Sequence, residues 1–207
     1  MTYELYTISG TPRPWRVALA LVAKRLPFTM RVLEASRKEQ KAPAFLALNP
    51  RGRTPVLVRG DFVLTESLAI LAYLEHAHPE PPLFPDPARV WEQVASLDHD
   101  LREAAGPVLR ASFQNTELAP DAAARFLAEL RRLEARLTSA PFLCGDRITA
   151  ADCVAFPEVR LTLRATERAP ELMRQMEVAP LADPLRRWVD RIEALPGYDQ
   201  TFPAHWR

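Results

Sequence analysis

Three short stretches carry side chains whose types and spacing suit chemistry. In SGTPRPWRVALALVAK, residues 9–24, the hydroxyls of Ser9 and Thr11 precede an amphipathic helix, and Arg13 lies between Pro12 and Pro14. A hydroxyl at such a place can donate to an anion that the helix amides and dipole also favour. Thr11 is the nearer of the two to the helix; Ser9 is nearer the strand end, one step before Gly10. The second stretch is TES, residues 65–67, which opens another helix. There Ser67 can donate to a carboxylate and Glu66 can accept from an ammonium, a pair suited to the zwitterionic head of an amino acid. Ordinary capping accounts for the same letters, with Thr65 as N-cap and Glu66 complementing the dipole. The third stretch is NPRGRTPVLV, residues 49–58, where Pro55 opens a strand and no ladder donor is needed. With a cis Thr54–Pro55 bond, the Thr54 N–H and C=O would face outward, free to pair with an extended peptide.

The elements that must position these residues follow from local pattern. TYELYTI is rich in aromatic and β-branched residues and reads as a strand. WRVALALVAK follows with helical spacing and is stopped by Pro27. A residue before proline avoids helical angles, so Arg13 is expected to be extended and this helix to begin at Pro14. FTMRVLE is a second strand, and PAFLALN is a short helix closed by Asn49 and Pro50. TPVLV and FVL form a pair joined by the turn Arg59-Gly60-Asp61. ESLAILAYLEHAH is a long amphipathic helix with Leu68, Leu71 and Leu74 on one face. The order βαβ, α, ββα implies a mixed four-stranded sheet in an α/β domain over residues 1–78. PEPPLFPDP holds five prolines in nine positions and gives a linker at 79–86. Residues 87–207 read as an all-α domain with helices at 87–113, 120–138, 149–168 and 183–195. Thr149 and Asp152 have capping-box form, and Asp183 precedes Pro184 as a cap.

Composition removes whole classes of function. A chain of 207 residues can bury a real core, and its net charge of +1 argues against nucleic acid or an anionic membrane as the main partner. No apolar run reaches the length of a membrane span, and MTYELYTISG lacks the regions of a signal peptide. Cys144 and Cys153 match neither a CxxC nor a zinc pattern. The expectation is therefore a cytoplasmic protein with reduced thiols and no metal.

Taken in order, SGTPRPWRVALAL, NPRGRTPVLV, LTESLAI, the proline-rich linker and FLCGDRITAADCVAF resemble the cytosolic glutathione transferases. Each motif is weak alone, but five in register span almost the whole chain. The resemblance implies a thioredoxin-like first domain that binds glutathione as co-substrate and a helical second domain with the electrophile pocket. It also implies a homodimer. On that pattern the family's cis-proline falls on Pro55, and Thr54 would meet the cysteinyl backbone of glutathione. Glu66 and Ser67 would hold the glutamyl end, and Arg53 would sit near the glycyl carboxylate. Thr149 and Asp152 match the family's folding signature and would be structural.

The thiol-activating group is the point of departure. Family members use a Tyr, Ser or Cys where the first strand ends or the next helix starts; no Cys stands there, and Tyr6 lies too early. Thr11 falls where zeta-like members carry their first serine. TPRPWR resembles nu-like bacterial members, with Arg13 in place of their asparagine. The reading is that Thr11 donates to the thiolate while Arg13 adds positive potential, with Ser9 as the rival donor. The implied activity is addition of glutathione thiolate to small hydrophobic electrophiles. Zeta-like cis–trans isomerisation of a small dicarboxylate, nu-like disulfide reduction and a non-catalytic glutathione-binding module are the alternatives. Arg164 matches a basic residue that zeta-like members set against a substrate carboxylate, although RLTLRATER also reads as a solvated helix face.

Overall fold

The computed structural model describes residues 2–167 and 183–206. Strand β1, Tyr3–Thr7, buries Tyr3, Leu5 and Thr7 in the alternation expected of a strand. It pairs in parallel with β2, Phe28–Val32, and antiparallel with β3, Val56–Arg59, which in turn pairs antiparallel with β4, Phe62–Thr65. The mixed four-stranded sheet has the order β2-β1-β3-β4. Helix α1 is Pro12–Ala23, α2 is Pro43–Leu48 and α3 is Ser67–Ala77. Val17, Leu19 and Leu21 of α1 and Ile70, Leu71 and Leu74 of α3 are wholly buried with Leu5, Val56 and Leu57 of the sheet.

Helix α1 begins two residues earlier than the proline pattern suggests. Thr11 is its N-cap, with φ −86° and ψ 132°, and Arg13 is helical. The Trp15 N–H donates to the Thr11 carbonyl at 3.2 Å and closes the first turn. First-turn amides have no intrahelical partner, so Pro12 and Pro14 sacrifice no bond there. That outweighs the bias Pro14 places on Arg13.

At the far end of α1, Lys24 is buried and tied on three sides. Its Nζ meets Glu75 Oε2 at 2.6 Å, the His78 carbonyl at 2.6 Å and the Pro81 carbonyl at 3.0 Å. A buried ammonium needs such partners to offset its desolvation.

Residues up to Leu83, together with the segment from Leu195 on, form one compact unit, and Phe84–Ala194 form the other. The segment from Leu195, which the sequence leaves with the helices, packs on α1 instead. The Trp15 Nε1–H donates to Thr201 Oγ1 at 3.1 Å, and the Trp15 ring meets Phe202 and Trp206 edge-on.

The second unit is helical throughout its described length. Asp86 caps α4, Pro87–Ser96, by accepting from the Arg89 N–H. A π-helical stretch, Leu97–Leu101, carries the chain into α5, Arg102–Gln114, so 87–114 is nearly continuous. Helix α6 is Pro120–Leu137, α7 is Ala150–Glu167 and α8 is Asp183–Glu193. The expected end of α7 at residue 168, and the residue ahead of the Asp183 cap, lie outside the described residues. Every residue of α7 from Ala150 to Val159 is buried, which makes it the axis of this unit. Its start is fixed by Asp152, whose two carboxyl oxygens take four hydrogen bonds. The donors are the Leu143 and Thr149 N–H groups, the Thr149 hydroxyl and the Trp188 indole. Burial pushes the Asp152 carboxyl up while these four donors pull it back down. Among the described residues no helix is long and apolar enough to cross a membrane.

Candidate active site

Strand register brings the three chemistry-bearing stretches of the first unit to one end of the sheet. Tyr6 pairs with Val56, and Val56 pairs with Thr65. One step further along each strand stand Thr7, Pro55 and Glu66, and beyond them Ile8, Thr54 and Ser67. The turn 8–11, the entry to β3 and the start of α3 therefore share an edge. The alternation of β1 holds this register, because a slip of one position would turn Tyr3, Leu5 and Thr7 outward.

The turn itself is hydrogen-bonded. Thr11 N–H and Thr11 Oγ1 both donate to the Ile8 carbonyl, at 3.2 and 2.6 Å. Gly10 takes φ 77°, in the left-handed region. Ser9 Oγ lies 3.1 Å from His205 Nδ1, a partner from the C-terminal segment of the same unit. Arg13 sits half-buried on the first turn of α1.

The Thr54–Pro55 bond is cis, and Pro55 is buried where β3 begins. Outside the sheet ladder, no hydrogen bond among the described residues takes up the Thr54 N–H or C=O. Asn49 shapes the approach to it. Buried Asn49 donates from Nδ2 to the Arg53 carbonyl at 2.7 Å and accepts from the Arg51 N–H at 3.1 Å. Gly52, at φ 60°, lets this loop lie against its neighbour. A Cβ there would stand 2.7 Å from both the Gln40 carbonyl and Lys41 Nζ.

At α3 the N-cap is Glu66, not Thr65, and no side chain caps the helix. Glu66 holds φ 67° and ψ 112°, an unusual backbone for a residue with a side chain. Its carboxylate pairs with Arg51 Nη1 at 2.9 Å, both groups being largely exposed. Ser67 is buried at the first helical position, and its hydroxyl makes no hydrogen bond to the described residues. Arg53 is exposed and forms no ion pair among the described residues, and Lys41 Nζ lies 3.2 Å from the Arg51 carbonyl. Lys41, Arg51 and Arg53 thus put three cations around this loop. Arg164 is on α7 in the second unit, with Nη1 3.7 Å from Glu167 Oε2. Neither unit shows three or more His, Cys, Asp or Glu side chains grouped to hold a metal among the described residues, and both cysteines are free.

Sequence reasoning missed Arg51, Lys41, Asn49 and His205. Arg51 and Asn49 lie in the NPRGRTP stretch, where an asparagine ahead of a proline signals a side chain bonded to its own loop, and Lys41 reaches that loop from ahead of α2. No local signal points to His205, which is separated from Ser9 by 196 positions.

Comparison with known proteins gives the family. Residues 1–76 fit the glutathione S-transferase N-terminal domain, and residues 116–191 fit the glutathione S-transferase C-terminal domain. The chain belongs to the glutathione S-transferase family. It is 30% identical to the human (Homo sapiens) glutathione S-transferase theta-1 over 221 residues, covering 99% of this chain and 88% of that one. It is 28% identical to a probable maleylacetoacetate isomerase of Vibrio cholerae, covering 99% and 97%. Among solved structures, a glutathione S-transferase from the Antarctic clam Laternula elliptica superposes with a TM-score of 0.80 at 27% identity, covering 100% of this chain and 94% of that one.

Proposed function

We propose that the protein is a glutathione S-transferase that adds glutathione thiolate to small hydrophobic electrophiles. The observation that carries this is the shared sheet edge, where a hydroxyl-bearing turn, an open peptide edge and a helix N-terminus converge. Glutathione has a matching order of groups. Its glutamyl zwitterion is met by Glu66 and by the hydroxyl and amide of Ser67. Its cysteinyl backbone pairs with Thr54 at Pro55, and its glycyl carboxylate is met by Arg53 with Lys41 nearby. The thiol then falls to the turn of Ser9, Thr11 and Arg13. A free thiol near pKa 8.5 is a few per cent ionised at pH 7, and lowering it by about two units stabilises the thiolate by roughly 2.7 kcal/mol. A hydroxyl donor, the N-terminus of α1 and the Arg13 charge are together of that order.

Isomerisation of a small dicarboxylate is the second reading, favoured by the isomerase relative and by Arg164. Arg164 already has a carboxylate neighbour in Glu167, at 3.7 Å, so transfer stands first. An assay panel separates them: glutathione with a halonitrobenzene, an organic peroxide, a mixed disulfide and maleylacetoacetate. Turnover of the halonitrobenzene with no isomerisation is the expected outcome; isomerisation alone reverses the order. Saturable glutathione binding with turnover of none of them would make the protein a binding module.

The binding site has its own test. Changing Glu66 and Ser67 together to alanine removes both partners of a desolvated zwitterion, at a cost of a few kcal/mol. Glutathione affinity measured by calorimetry should fall at least about tenfold. Unchanged affinity in a folded double variant would move the site elsewhere.

A further inference from the structure

We propose that His205 is the proton acceptor for the glutathione thiol, reached through the Ser9 hydroxyl; this rests on the glutathione-conjugating reading above. Thr11 already gives its hydroxyl hydrogen to the Ile8 carbonyl at 2.6 Å, which leaves Ser9 as the turn's hydroxyl with a basic partner. Ser9 Oγ and His205 Nδ1 are 3.1 Å apart, a hydroxyl–imidazole pair of the kind that activates nucleophiles.

The imidazole is exposed but lies against the turn. A Cβ at Gly10 would approach His205 Cε1 to 3.2 Å and Nε2 to 3.4 Å, so the ring lies against the turn and position 10 leaves room for it. The next residue, Trp206, is buried, with its ring 5.3 Å from Trp15 and 5.9 Å from Phe202. The Trp15 indole holds Thr201, whose hydroxyl donates to the Tyr198 carbonyl. Packing alone would be served by these aromatic rings; the imidazole adds a basic nitrogen at the hydroxyl. Around His205 the structure sets Ser9, Gly10 and the Trp206 indole, with no ion pair among the described residues. Arg13 is the charged residue on the same turn of chain, and its charge favours the thiolate.

The step balances. The thiol proton passes to Ser9 Oγ while the Ser9 hydroxyl proton passes to His205 Nδ1. The products are a thiolate facing the restored Ser9 hydroxyl, and an imidazolium. After sulfur bonds to the electrophile, the imidazolium returns its proton to the leaving group or to solvent.

The test uses the full chain, glutathione and a halonitrobenzene. His205→Gln keeps a hydrogen-bond acceptor but removes the base. It should lower kcat/KM about 100-fold, abolish the acid limb of the kcat/KM–pH profile and leave glutathione Kd within a few-fold. A folded H205Q enzyme with the wild-type rate and pH profile overturns the proposal. A measurement on the unaltered protein gives a second test, should the variant fail to fold. In the free protein, nitrogen NMR should find His205 Nδ1 unprotonated and accepting the Ser9 hydroxyl, and its resonance should move when glutathione binds. An Nδ1 that carries the imidazole proton, or one whose resonance does not respond to bound glutathione, overturns the relay while leaving the glutathione reading intact. No glutathione binding at all would sink both.

Discussion

The Thr11 hydroxyl fixes the shape of its turn, and what remains on its oxygen for a ligand is lone pairs. The hydrogen-bond pattern therefore favours Ser9 as the donor to a thiolate and Thr11 as the residue that holds the turn. Three single variants separate the roles. Ser9→Ala should lower turnover about 10- to 100-fold, the loss seen when one donor to a developing anion is removed, at its weaker end. Thr11→Ala should cost about 1 kcal/mol of stability and leave the remaining turnover within several-fold of wild type. Arg13→Ala should raise the pH midpoint of thiolate absorbance, since a cation near the sulfur favours its ionised form. A large loss in Thr11→Ala, with Ser9→Ala unaffected, would return the role to Thr11. Little of this was legible in the sequence. The two hydroxyls stand out by type, but which one keeps its hydrogen depends on a carbonyl three residues back and a histidine 196 positions away.

At the scale of elements, local pattern foretells most of the structure because helices and strands are written in short periods. Leu5 sits where alternation puts it, and Ile70, Leu71 and Leu74 where helical spacing does, whereas α1 is buried without a break from Pro14 to Val22. The start of α1 was misjudged because the conformational bias before proline is local, whereas the benefit of proline at an unpaired first-turn amide appears only once a helix exists. In the second unit the capping box at Thr149 and Asp152 was visible, yet its reach was not. Asp152 also holds the Leu143 N–H and the Trp188 indole of α8, linking three segments. Asp152→Asn is close to isosteric but sets an amide N–H₂ against two donors. It should destabilise the protein by about 3–5 kcal/mol, as breaking a buried hydrogen-bonded network does. Trp188→Phe, which leaves one lone pair unused, should cost less, about 1–3 kcal/mol. Urea midpoints measure both, and equal midpoints for wild type and Asp152→Asn would deny the network its importance.

For the whole molecule, the family supplies an expectation that this chain's surface makes concrete. Phe62 and Val63 on the edge strand β4 stay more than a third exposed, and Phe62 stacks on Tyr73 of α3 with centroids 4.6 Å apart. An open sheet edge bearing apolar residues is one that native proteins usually cover. We infer a homodimer, and light scattering at micromolar concentration should give twice the mass of one chain. A monomer mass would refute it. The face that pairs was not legible, since helical and strand periods mark what is buried within a chain and not between two.

Glu66 keeps a backbone conformation that glycine adopts freely and that costs other residues on the order of 1–3 kcal/mol. The local minimum of folding free energy at this position therefore lies away from the native residue. Random mutagenesis screened only for resistance to heat should find Glu66→Gly among its winners, and that winner should bind glutathione poorly. On the glutathione reading proposed above, folding stability and ligand binding pull this one position in opposite directions.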